Sequence, residues 1–360
     1  MTMKRLHNFS AGPGALPVSV LEEARQEMLV YGEAGASIME ISHRSPEYTA
    51  VTDSARQQLA TLLGLGDEWH ILFLQGGASL QFYQSALNFL QRNETADYVN
   101  TGSWSTKAIA EARRVGNVHV AASSADDNFS HIPPVSSWQH SSSPAYIHIT
   151  SNNTIFGTAF QEDPVSVPAP VICDASSDFL SRPVELAPYS MIYAGAQKNI
   201  GPAGVTVVLI RKSFLERVQG DLPTMLDYRV HAEKLFNTPP VFAVYMVEKV
   251  LRWIAGKGGL LGMQAHNEAK ADLLYSRIDK TDFYRGTAEK GSRSKMNVTF
   301  RLPSEDLEST FVSEARKHGL LALKGHRSVG GIRASIYNAC ELASVEALVD
   351  FMTEFERKNG

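Results

Sequence analysis

Cysteine is scarce in this chain. Among 360 residues there are two, Cys173 and Cys340, and so distant a pair supplies neither a disulfide framework nor the closely spaced thiolates of a structural zinc site. That scarcity suits a reducing cytoplasm. Charge imbalance is also missing. Lys plus Arg number 34 against 38 Asp plus Glu, a net of −4, which is too mild to favour nucleic acid as a partner. No apolar run approaches the ~18 residues that would cross a membrane. Lys4 and Arg5 are not followed by the apolar stretch of a secretion signal. There is no repeat with a period of roughly 20 to 50 residues.

What is present can fold. The chain is 44% apolar and 20% charged, enough to bury a core, and at roughly 150 residues per domain its length suggests about two packed units. Short apolar runs at Ile71 to Leu74, Ala96 to Val99, Val118 to Ala121, Tyr146 to Ile149, Pro170 to Cys173, Met191 to Tyr193 and Val205 to Ile210 alternate with helical patterns. This rhythm predicts an α/β fold with a mainly parallel seven-stranded sheet covered on both faces. Helical spacing from Pro240 to Ile254 is interrupted by Gly256-Lys257-Gly258-Gly259, so a boundary is expected near residue 260. Beyond it, strands at Met296 to Phe300, Leu320 to Leu323 and Ile332 to Tyr337 and helices at Glu305 to His318 and from Ser344 predict a smaller α/β unit.

Ligands of such sheets bind beyond the carboxyl ends of the strands, and four turns there carry chemistry. Gln75-Gly76-Gly77-Ala78-Ser79 joins a strand to a helix. Its glycines allow close approach and the helix start offers free amides to a phosphate, although a plain tight turn explains it as well. Thr101-Gly102-Ser103-Trp104-Ser105 places an aromatic in a loop, where it either stacks on a planar ring or covers the core. Cys173-Asp174 puts an acid directly after a buried strand, to serve a partner or to cap the next helix. Tyr193 to Gly204 sets Lys198 among small residues between two strands. Most lysines are solvated, but one held there loses hydration and becomes a nucleophile toward an aldehyde.

Other chemistries do not assemble. There is no His-Glu-x-x-His, Gly35-Ala36-Ser37-Ile38-Met39 lacks the closing glycine of a nucleophile elbow, and the eleven histidines show no metal spacing. A strand-end acid 24 residues before a loop lysine, with an aromatic and a phosphate-type turn upstream, supplies what pyridoxal 5'-phosphate needs: an amine for its aldehyde, an anion for its ring nitrogen, a stacking ring and amides for its phosphate.

Five segments then carry a family resemblance. Asn8 to Pro13, Met39 to Arg44, Tyr193 to Gly204, Phe236 to Pro240 and Lys324 to Arg327 through Gly331 to Asn338, spread in order over the chain, resemble the phosphoserine aminotransferases, class V aminotransferases of fold type I. The resemblance implies a cytoplasmic homodimer with shared active sites, acting on phosphoserine, glutamate and 2-oxoglutarate in serine biosynthesis, with 4-phosphohydroxythreonine of pyridoxine biosynthesis as a further candidate substrate. It implies that Lys198 bonds the cofactor and moves the proton, that Asp174 pairs with the ring nitrogen, that Trp104 stacks, and that Thr154 meets the phenolic oxygen. Ala78, Ser79 and Gln197 would hold the phosphate, reached also by Asn237 and Thr238 of a second subunit; unaided, Asn237 to Pro240 reads only as a helix cap. Arg333 would bind the α-carboxylate, while His43 and Arg44 from one side and His326 and Arg327 from the other receive the distal anion.

The chain departs from some family members, which have Gly-Arg in place of Ala78-Ser79 and a serine in place of Ala11. There the backbone amides must serve alone. The implied division is an N-terminal segment, 1–15, packing with a small domain, 261–360, and a large cofactor domain, 16–260. Two other readings stand beside this one. A class V enzyme acting on serine or alanine with glyoxylate would need no distal anion site, and a cofactor-free nucleotide- or phosphate-binding protein built on the same sheet would need no Lys198.

Overall fold

The computed structural model describes residues 5–360, so the first four residues of the expected N-terminal segment lie outside it. The strands used below are β1 (His7–Asn8), β2 (Trp69–Leu74), β3 (Thr95–Asn100), β4 (Asn117–Ser123), β5 (Pro144–Thr150), β6 (Val171–Asp174), β7 (Tyr189–Gly195), β8 (Thr206–Arg211), β9 (Asn297–Arg301), β10 (Leu320–Leu321) and β11 (Ile332–Ser335). The main helices are α1 (Pro46–Leu63), α2 (Gly77–Phe89), α3 (Ser103–Ala112), α4 (Val241–Gly256), α5 (Gly259–Ile278), α6 (Glu305–Lys317) and α7 (Leu342–Asn359).

All seven expected strands join one sheet, in the order β2-β8-β7-β6-β5-β3-β4. Only β8 runs against its neighbours β2 and β7. The registers Thr150↔Asp174, Asp174↔Tyr193 and Gly195↔Thr206↔Leu74 align the ends that bear the candidate turns along one edge. Alternation within strands builds a core on each face. Ile147, Ile149, Cys173, Ile192, Val207 and Leu209 pack on one side, and Tyr146, Ile172, Met191, Tyr193, Val208 and Ile210 on the other.

Local chemistry delimits the helices. At the start of α1 the Ser45 hydroxyl accepts from the Tyr48 amide and Pro46 occupies the first turn, while at its end Gly64 takes a left-handed φ of 67°. The helix α5 crosses the expected boundary without a break. Its Leu260 and Met263 belong to the large core, whereas Ala271, Leu274 and Ile278 belong to a third core with Phe300, Phe311, Ala334 and Phe355. The strand β1 pairs in parallel with β10, and Phe9 is fully buried in that third core. No described helix is long and apolar enough to cross a membrane.

Candidate active site

Between β7 and β8 the chain reverses tightly. Ala196 donates to Val205 O at 3.0 Å and Gly201 to Ala196 O at 2.9 Å; a Cβ on Gly201 would come within 2.7 Å of Val247 on α4. This turn presents Lys198, whose Nζ donates to Thr154 Oγ1 at 2.9 Å and lies 5.1 Å from the centre of the Trp104 ring. No carboxylate pairs with it among the described residues. Burial pulls its pKa down to about 8, opposed by the charges of Asp174 and Asp178 and assisted by that of Arg333. Far more of the amine is therefore free near neutrality than in a solvated lysine. The N-terminal segment covers the turn: Gly14 donates to Gln197 O at 2.7 Å, and a Cβ there would come 2.7 Å from Lys198 O and 2.8 Å from the Tyr337 ring.

At the end of β6, Asp174 is 4% exposed. Its Oδ1 accepts from the Ser176 amide at 3.0 Å and hydroxyl at 2.6 Å, so it closes a local turn and does not cap a helix. Its Oδ2 has no donor among the described residues. Burial raises its pKa against the pull of Lys198 and Ser176, as expected of a desolvated carboxylate that retains only part of its hydrogen bonding.

The turn after β2 bends at Gly76, φ 91°, which caps α2 without a side-chain bond. The amides of Gly77, Ala78 and Ser79 thus begin a helix with no partner behind them. Trp104 stands not in a loop but in the first turn of α3, where the Ser105 hydroxyl accepts from the amides of Thr101 and Gly102 at 3.0 Å each. Its Nε1 is buried without a partner. Gln197 folds back over Gly195, where a Cβ would meet its Oε1 at 2.8 Å.

Arg333, on β11, donates to Thr154 O at 3.3 Å and leaves its buried Nε unpaired. It makes no salt bridge among the described residues. His326 and Arg327 border a surface hollow of about 600 Å³; burial first, then the charges of Arg333, Arg327 and Lys107, lower the His326 pKa. The sequence reading passed over Lys107, whose Nζ lies 4.5 Å from the Trp104 ring centre. Its spacing of three residues from Trp104 on a helix was the available signal. Ser176 and Tyr337 lie within motifs of the sequence that assign them no role. Tyr337 donates to Ala11 O at 2.7 Å, a contact between segments 326 residues apart that no local pattern announces.

The remaining candidates are not gathered around Lys198 within one chain. Asn237 Nδ2 donates to Gln75 Oε1 at 3.3 Å, and Gln75 Nε2 to Thr238 O at 3.0 Å. Neither side chain caps a helix, because α4 begins only at Val241 with Pro240 before it. His43 shares a hollow of about 540 Å³ with Asn237, its Nε2 buried and unpartnered. Arg44 is exposed.

This fold and this lysine-centred site are those of a class V aminotransferase, and the Aminotransferase class-V family matches residues 6–348. A phosphoserine aminotransferase of Desulfatibacillum aliphaticivorans is 56% identical over 360 residues, covering 99% of both chains. Two solved phosphoserine aminotransferases superpose closely. That of Bacillus circulans subsp. alkalophilus is 50% identical with a TM-score of 0.97, covering 99% of this chain and 100% of the other. The pyridoxal phosphate-bound enzyme of Trichomonas vaginalis is 40% identical with a TM-score of 0.93, covering 97% and 100%. The chain belongs to the phosphoserine aminotransferase family.

Pyridoxal 5'-phosphate is the cofactor, and the residues present fit it. An amine of lowered pKa, a carboxylate oxygen without a donor, an indole beside the amine and unpaired helix amides would meet its four functional groups.

Proposed function

We propose that this chain catalyses reversible amino transfer between O-phospho-L-serine and 2-oxoglutarate, giving 3-phosphohydroxypyruvate and L-glutamate. The observation that carries the reading is Lys198, held at 2.9 Å by Thr154 beside the Trp104 ring and within electrostatic reach of Asp174, with an arginine free of any carboxylate on the same Thr154. When bound, pyridoxal phosphate supplies an aldehyde for the amino group and a ring that accepts electrons from the substrate α-carbon. Asp174 keeps the ring nitrogen protonated. Thr154 meets the phenolic oxygen, Trp104 stacks, and the amides of Ala78 and Ser79 with Gln197 hold the phosphate. Arg333 receives the α-carboxylate as a planar fork, which leaves Lys198, once released, to take the α-proton as a base and return it.

The distal anion distinguishes this reaction from alanine–glyoxylate transfer. Arg327 and Lys107 crowd positive charge around His326 near Arg333, which a methyl side chain would not need. His43, Arg44, Asn237 and Thr238 complete the site from a second copy in a cytoplasmic homodimer. Supporting this, Leu29, Val30, Met39 and Phe236 are exposed on the same segments, and His43 keeps a buried unpaired nitrogen. The division into residues 1–15, 16–260 and 261–360 is supported by the third core, which Phe9 joins. Acceptance of 4-phosphohydroxythreonine follows from the same anion site. Steady-state assay tests the reading: turnover of phosphoserine with 2-oxoglutarate should greatly exceed that of alanine with glyoxylate, and the reverse order would overturn it.

A further inference from the structure

We propose that Asp178 is a positioning residue for charge, an anion set behind Asp174 that favours the protonated state of the Lys198 nitrogen; this rests on the cofactor reading above. Asp178 Oδ1 accepts from Ser151 Oγ at 2.5 Å. The amide of the same serine donates to Asp174 O at 3.0 Å. One residue therefore ties the second carboxylate to the peptide of the first.

The groups facing Asp178 compensate its charge only in part, through Arg182. It borders one hollow with Arg182, Arg293 and Lys295 and another with Asp163, Cys173 and Tyr189. Each of these cations is committed elsewhere. Arg182 donates to both oxygens of Asp163 at 3.1 and 3.0 Å, Arg293 to Asp279 at 2.7 Å, and Lys295 to Glu268 at 2.5 Å. Asp163 and Asp174 are themselves acids. Burial, the largest influence on both, holds the Cys173 thiol and the Tyr189 phenol neutral.

Lys107 and Arg327 are exposed; of the less exposed cations near the sheet edge, Arg333 and Lys198 have no carboxylate partner among the described residues. Arginine keeps its proton throughout the working range, so Lys198 is the one whose protonation this anion can change. In agreement, Asp178 follows only Asp174 among the charges that raise the Lys198 pKa. Burial lifts the Asp178 carboxyl to about 6, which leaves it ionised at neutral pH and increasingly neutral in mild acid.

The test is a pH titration of the visible absorbance of the holoenzyme, which reports protonation of the nitrogen joining Lys198 to the cofactor. Asp178→Asn has the same shape and still accepts from Ser151, but carries no charge. Its titration midpoint should fall by about one pH unit. Reloading of its apoprotein with pyridoxal phosphate at pH 7, which needs the free amine, should be about fivefold faster. Asp178→Glu should titrate like the parent. If Asp178→Asn does not fold, Ser151→Ala serves, because losing the donor that favours ionised Asp178 should move the midpoint in the same direction. An unchanged midpoint in the folded variant overturns the proposal. A parent protein that acquires no visible absorbance with pyridoxal phosphate overturns the functional reading instead, so the two failures are distinct.

Discussion

Two lysines in this molecule have lost most of their hydration, and they sit in opposite kinds of surroundings. Burial brings both Lys198 and Lys270 down to about 8. Lys270, on α5, is 0% exposed, and its Nζ donates to Ile336 O at 2.9 Å and Tyr337 O at 2.7 Å. Every side of it is occupied by protein. Lys198 has a single hydroxyl as partner, an aromatic face nearby and acids within electrostatic reach but none in contact. The same desolvation thus yields a structural clamp in one place and an amine with unused bonding capacity in the other, the nucleophile of the proposed reaction. A lowered pKa marks a site only where bonding capacity is left unused.

Breaking the nucleophile should give the larger effect. Lys198→Ala is expected to abolish the visible absorbance of the bound cofactor and to reduce kcat by at least about 10²–10⁴-fold; retained absorbance would show that another amine carries the cofactor. Lys270→Ala should keep that absorbance but lower unfolding stability by about 2–4 kcal/mol, since it opens a cavity and strands two carbonyls. Chemical denaturation of the two variants would show these losses exchanging places.

The pH dependence of stability sharpens the comparison further. Between about 8 and its ordinary 10.5, Lys270 is charged in the unfolded chain and neutral in the folded one. The unfolded state therefore binds more protons, and this lysine's contribution makes stability rise with pH across that window and stay flat below it. Apoprotein of the parent should show this rise, and Lys270→Ala should lose its share of it. Smallest of all should be Trp104→Phe, which keeps a ring beside Lys198. About 0.5–1.5 kcal/mol of cofactor affinity should disappear with kcat little changed, as read by equilibrium release of pyridoxal phosphate.

Much of this was legible in advance because the governing physics is local. The seven strands are short β-rich runs, and each candidate turn lies just beyond an apolar segment, so Asp174, Lys198 and the Gly76-Gly77 turn could be selected from spacing alone. Trp104 was assigned to a loop because Gly102 and Ser103 read as breakers. In the structure Ser105 caps the amides of Thr101 and Gly102 and starts the helix sooner. Asn237 and Thr238 looked like a cap because two prolines follow them, but their partner is Gln75, 162 residues before Asn237.

The sequence by itself determined the fold class and the candidate residues for the chemistry, because side-chain identity, strand periodicity and turn composition are properties of neighbouring positions. Only the tertiary structure decided which lysine is left unsatisfied. That outcome depends on contacts made across hundreds of residues: Tyr337 with Ala11, Lys270 with the end of β11, Thr154 with Lys198. Hydrogen-bond satisfaction and desolvation are set by whatever the folded chain brings alongside a group.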